Sequence, residues 1–189
     1  LDQYESLGLL SLNNASNGVG PGGLGFTDEL PQPDFDGTHV RAKDQWGHAT
    51  TQIFSEVSPA MHDEFAIAYE KRFLERFGLA AYGCCEPLDG KMSIVRKIQN
   101  LRRVSMSPWV NLERAAAEVG RDLIFSWKPN PAILGMVEWD IDKCRAQLAE
   151  GLEKAGGCVL EIIMKDLHHV RNEPRRMWEW VDLAMSMVQ

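Results

Sequence analysis

The sequence predicts an α/β fold, a partial TIM-type (βα)8 barrel of about five parallel βα units preceded by an irregular Gly/Pro-rich segment. Short apolar runs at residues 46–54, 79–82, 103–106, 122–127 and 158–164 alternate with amphipathic stretches of helical period. Each run leads into a loop rich in Pro, Gly or Asn, the cadence of βα repeats that build a parallel sheet. Residues 1–43 lack both periods, which divides the chain into an irregular Gly/Asn/Pro-rich segment (1–43) and a partial barrel domain (44–189).

In the first segment Gly20, Gly22 and Gly25 match the G-x-G-x-x-G spacing. No apolar strand precedes them and Pro31 and Pro33 interrupt any following helix, so a dinucleotide site is rejected. A long loop of this kind inside a compact domain is expected to be a functional lid or a partly disordered segment. Ser58 followed by Pro59 opens a helix that must end before Gly78. Asn111 caps a helix over 112–119 that Gly120 stops, and Asp140 caps another through Cys144, Leu148 and Leu152 as far as Gly156. The last helix starts near Pro174 and turns Met177, Val181 and Met185 to one face, with Trp178 and Trp180 read as packing residues.

At 189 residues, 44% hydrophobic and 25% charged, the composition is that of a globular domain, which excludes a disordered or fibrous chain. No apolar run approaches the roughly 20 residues that cross a bilayer and no charged-then-apolar leader opens the chain, so the expected setting is cytoplasmic, without membrane contact. The net charge is −7 with basic residues dispersed, which argues against nucleic acid as a partner. Four cysteines are too few for a disulfide scaffold and are read as reduced thiols.

Parallel βα folds gather reactive groups at the C-terminal ends of their strands. Alternation sends Leu123, Phe125 and Trp127 outward and Ile124, Ser126 and Lys128 inward, with Lys128 and Asn130 reaching the mouth. In the last strand Leu160, Ile162 and Met164 face the helices, while Glu161, Ile163 and Lys165 face the interior. Buried Glu161 and Lys165 are expected to pair with each other or with other polar groups, either structurally or around a substrate.

The densest chemical cluster is Tyr82, Cys84, Cys85 and Glu86. Thiolate with carboxylate suits Zn²⁺, so Cys84 and Glu86 are candidate metal ligands. Adjacent cysteines on an extended chain point opposite ways, so Asp166, His168 and His169 are the candidates to complete such a site. The structural alternative is that Cys84 is a small buried apolar residue. Cys144 and Cys158 read as core, His39 and His62 as surface, and Trp46 and His48 as lining the mouth.

The segment Val57-Ser58-Pro59-Ala60-Met61 through Glu64, Phe65 and Tyr69, the strand end Ala81-Tyr82-Gly83-Cys84, the run from Phe125 to Asn130-Pro131, and the last strand and helix from Met164 to Trp180 come in an order that resembles the uroporphyrinogen decarboxylase superfamily. That superfamily also contains corrinoid-dependent methyltransferases and cobalamin-independent methionine synthase domains. The resemblance covers about residues 44–189 and implies a (βα)8 barrel. Tyr82 stands where methyltransferase members place a zinc-binding histidine, and nothing in residues 1–43 resembles the decarboxylase's arginine-rich substrate segment. Eight strands close such a barrel and about five are countable, so the expectation, with Leu1 in place of an initiating Met, is part of a longer barrel.

The resemblance implies methyl transfer from a small methylated substrate held near Cys84 to a corrinoid protein, with zinc as the implied cofactor and Lys165, Asp166 and His168 as catalytic groups. Trp46, His48, Tyr82, Lys128, Asn130 and Glu161 are the substrate-binding candidates. The alternatives are cofactor-independent decarboxylation of a carboxylated, tetrapyrrole-like substrate, and a non-catalytic fragment that forms a homo-oligomer.

Overall fold

A computed structural model describes residues 1–188. Its centre is a five-stranded, wholly parallel sheet of β3 (Trp46–Ala49), β4 (Leu79–Tyr82), β5 (Leu101–Ser105), β6 (Ile124–Trp127) and β7 (Val159–Ile162). Spatial order equals chain order, and helices form the connections, so the sheet is wound in one direction like a sector of a barrel wall. Between β3 and β5, β4 is buried along its whole length, which is why it reads as a continuous apolar run.

The helices begin and end where the sequence signals them. Ser58 Oγ accepts from Met61 N–H at 3.2 Å, and Pro59 opens α2 (Pro59–His62). A π-helical turn over Asp63–Ile67 follows, then α3 (Ala68–Leu74). Asn111 Oδ1 caps α5 (Leu112–Val119) through Arg114 N–H at 2.9 Å, and Gly120 ends it with φ +67°. Asp140 caps α6 (Ile141–Ala155), while α7 (Arg175–Val188) closes the described chain. The short α4 (Met92–Val95) has no advance signal in the sequence.

Two helical faces are turned otherwise than periodicity suggests. In α7, Trp180, Leu183 and Ala184 enter the core, while Met177, Val181 and Met185 share the outward face. Along α2 and α3 the extra residue of the π-turn rotates the buried stripe, so that His62, Ile67 and Leu74 are buried and Met61, Phe65, Tyr69 and Phe73 are exposed. His62 is therefore a core residue and not a surface one.

The outward sheet face packs on the helices through Ala80, Tyr82, Val104, Phe125 and Trp127. The inward face would be naked in a sector of five strands, and residues 1–43 cover it. After α1 (Asp2–Ser6), the strands β1 (Gly18–Val19) and β2 (Gly23–Leu24) form a small antiparallel hairpin across that face. Val19 and Leu30 join Trp46, Leu79 and Ala81 in a second core. The approach is close: a Cβ at Gly22 would meet Ile163 Cγ2 at 2.7 Å, and one at Gly23 would meet Arg103 Nη1 at 2.7 Å. The lack of a side chain at Gly20, Gly22 and Gly23 is what permits this contact with the sheet. Asn13 also covers one sheet edge, its side chain exchanging two hydrogen bonds with the Trp46 backbone at 3.0 and 2.8 Å.

Arg103 holds the hairpin down. It is only 4% exposed at the middle of the inward face, stacks 4.9 Å over the Trp46 ring, and lies 3.3 Å from Glu161 Oε2. Its guanidinium donates to Leu24 O at 2.6 Å and to Val19 O at 3.4 Å. Arg103 occupies an inward strand position, where burial of its charge is offset by the ion pair with Glu161.

Removing this cation leaves Glu161 without its ion-pair partner and two hairpin carbonyls without their donor. Arg103→Met is expected to cost about 3 kcal/mol, as for one half of a buried pair. Denaturant unfolding measures it, hydrogen exchange should rise first over residues 18–24, and R103M/E161Q should recover part of the loss.

Candidate functional site

The loops that follow β4, β5, β6 and β7 converge at the C-terminal edge of the sheet around a cavity of about 560 Å³. Cys85 comes from the first loop, Ser107 and Trp109 from the second, and Lys128 and Asn130 from the third. Lys165, Asp166, His168 and His169 come from the fourth. One shared pocket is what the parallel strand order requires.

Six sequence-predicted residues meet here: Lys128, Asn130, Lys165, Asp166, His168 and His169. Lys128 is 2% exposed and carries no carboxylate partner among the described residues. Its ammonium donates to Cys84 O at 2.6 Å, to Met106 O at 3.3 Å and to Ser105 Oγ. Burial pulls its pKa below the usual lysine value. Asn130 Oδ1 caps the turn Pro131–Gly135 through Ala132 N–H at 3.0 Å.

Lys165 donates to Asp166 Oδ1 at 2.5 Å and to Cys85 Sγ at 3.2 Å. Burial opposes its charge, but the bonds to Asp166 and Cys85 prevail and raise its pKa, so it is an ammonium at neutral pH. The same contact with Lys165 holds Asp166 below the ordinary carboxylate range. Cys85 Sγ donates to Asp166 Oδ2 at 3.3 Å, and burial pushes its pKa up to about 11 against the lowering contact with Lys165, so it stays a thiol. Asp166 has φ +61°, a left-handed conformation that its short polar side chain tolerates and that turns the carboxylate back on the strand end.

The other candidates stand apart from the cavity. Trp46 and His48 lie under the hairpin: Trp46 Nε1–H donates to Gly25 O at 2.9 Å, and His48 Nε2 is 3.1 Å from Gly83 O beneath Gly20. Glu161 pairs with Arg103 and accepts from Ser126, not from Lys165. Tyr82 points into the helical layer, where its hydroxyl donates to Glu70 Oε2 at 2.7 Å and is 2.8 Å from His62 Nε2. Strand parity accounts for this, since Tyr82 is two residues from the outward-facing Ala80.

Cys84 and Glu86 do not form a zinc pair. Both Glu86 oxygens are engaged, one by Cys84 N–H at 2.7 Å and the other by Thr50 Oγ1 at 2.7 Å and Thr51 N–H at 3.2 Å. Among the described residues no three His, Cys, Asp or Glu side chains gather as an ion requires. The donor set therefore does not fit the metal that the resemblance implies. The two thiols do not diverge either, because Gly83, at φ +90°, breaks the strand and brings Cys84 Sγ within 3.5 Å of Cys85 Sγ.

Trp109, 75% exposed beside Pro108, is a pocket residue that sequence reasoning missed. Its signal was an aromatic directly after a strand-end proline. No family model matches the chain, and no curated protein matches it. Among the described residues no helix is long and apolar enough to cross a membrane.

The buried His62 sets a pH dependence. Burial, with the Lys91 ammonium nearby, holds its pKa below the ordinary value of about 6.5. As pH falls through that value the unfolded chain takes up a proton that the folded chain refuses, so the stability His62 contributes at neutral pH declines toward its lowered folded pKa. Thermal unfolding from pH 7.5 to 5 should show this decline, and His62→Gln should flatten it.

Proposed function

We propose that this chain is a uroporphyrinogen decarboxylase-like enzyme that binds a small carboxylated molecule in the strand-end cavity and decarboxylates it without a cofactor. One observation carries the reading: the cavity wall holds a buried ammonium, Lys128, that makes no ion pair with a carboxylate among the described residues. Lys165 and Asp166 pair with each other, which leaves Lys128 as the lining cation without an ion pair, a group that favours an anionic ligand. The cavity volume suits a small organic acid.

In this reading the bond between the carboxylate carbon and its neighbour breaks, CO2 departs, and the electron pair stays on a carbon conjugated to a carbonyl or electron-poor ring. Lys128 stabilises that charge through its fixed field, because its three hydrogens already serve protein acceptors. The Asn130 amide N–H groups, left free by the capping role of Oδ1, bind the substrate. Lys165 returns the proton, with Asp166 orienting it and His168 as a second donor on the same wall.

Methyl transfer to a corrinoid protein is the second reading, supported by a thiol on the cavity wall. That thiol is Cys85 and not Cys84.

The test is CO2 release from a panel of β-keto acids, aromatic acids and a carboxylated tetrapyrrole. Lys128→Gln is expected to lower kcat/KM by about 10²-fold, the scale of one charge-stabilising group, with its circular dichroism unchanged. Turnover of no acid in the panel, or equal turnover by the variant, defeats the proposal.

A further inference from the structure

Adjacent cysteines in a strand diverge, so two neighbouring thiols 3.5 Å apart need a backbone that holds them there. The turn after β4 supplies it. Gly83 takes a left-handed φ of +90°, and a Cβ at this position would meet Ser105 O at 2.3 Å, so the turn is tied to glycine. Both polar atoms of the next peptide unit are pinned: Cys84 N–H donates to buried Glu86, and Cys84 O accepts from buried Lys128 at 2.6 Å. Cys85 Sγ is held in turn between Lys165 at 3.2 Å and Asp166 at 3.3 Å, on the cavity wall. Both cysteines are half-buried residues. Two fully buried ionic side chains are thus spent on fixing a pair of sulfurs beside a cavity.

The sulfur separation selects the ligand. A soft ion bound linearly by two thiolates needs them about 4.6 Å apart, twice a metal–sulfur bond of about 2.3 Å, which is too wide for this pair. A tetrahedral ion accepts the separation but demands further donors; the Asp166 carboxylate beside Cys85 is already bonded to Lys165, and among the described residues no three His, Cys, Asp or Glu side chains gather in a way that could hold a metal ion. Trivalent arsenic is pyramidal, binds two sulfurs at a bent angle and keeps one outward substituent, and Cys85 lies on the wall of a cavity that could receive it.

We propose that Cys84 and Cys85 form a dithiol chelate site for a trivalent arsenical, with its remaining substituent lodged in the pocket. With an arsonous acid, R–As(OH)2, each sulfur attacks arsenic, two As–S bonds form and two As–O bonds break. The two thiol protons leave with the hydroxides as two waters, and arsenic stays trivalent, so no oxidant or reductant is required. Asp166, already accepting from the Cys85 thiol, relays that proton, and Lys165 steadies the sulfur as charge develops on it.

The experiment titrates the reduced protein with phenylarsine oxide, which hydrates to phenylarsonous acid, and reads binding by native mass spectrometry. One equivalent per chain is expected, released by an excess of a dithiol competitor but not by the same excess of a monothiol. Cys84→Ser and Cys85→Ser should each weaken binding by at least about a hundredfold through loss of the chelate, while C144S/C158S binds as wild type. Because a variant can misfold, alkylation mapping of the wild type gives a second measure: one equivalent of the arsenical should protect Cys84 and Cys85 and leave Cys158 reactive. Undiminished binding by either single variant, release by the monothiol, or protection of Cys158 in their place overturns the proposal. The readout is bound mass, so it stands or falls apart from any result with carboxylic acids.

Discussion

The fold depends on a buried cation under a glycine hairpin. A five-stranded parallel sheet has two apolar faces, and its helices cover only one of them. Arg103 solves the second face by anchoring residues 18–24 through their carbonyls while Glu161 offsets its charge. An apolar side chain there would pack more cheaply but would offer the hairpin no directional bond. Charge in this core buys placement of the segment that closes it.

With that face closed, the cavity is confined to the strand ends. The hairpin excludes Trp46, His48 and Glu161 from it and leaves Lys128 and Lys165, one and two positions further along the inward face, at its wall. The same parity assigns the polar residues of the helical side to another task. Tyr82, His62 and Glu70 satisfy one another beneath α2 and α3, where an unpaired hydroxyl would be costly.

Strand and helix placement was legible because its causes are local: Ser58, Asn111 and Asp140 cap helices, Gly120 stops one, and the inward parity of Lys128 and Lys165 follows from alternation. Failures arose where a backbone irregularity changes the phase. The π-turn over Asp63–Ile67 inverts which side of its helix is buried and hides His62, and the glycine turn at 83 swings two thiols together that an extended chain would separate. Neither event leaves a periodic trace. The hairpin's task was illegible for another reason, since glycines that allow close approach to a distant sheet look locally like linker.

Asp166 is the cavity residue whose backbone and side chain have opposed interests. Glycine would occupy its left-handed conformation with less strain, while only a carboxylate holds Lys165 and the Cys85 thiol in place. Selecting variants of this protein for heat resistance alone would therefore favour erasing the acid, and selection for chemistry would restore it. The two pressures meet at a single peptide unit, so relatives that have given up the pocket should be recognisable by the residue they carry there.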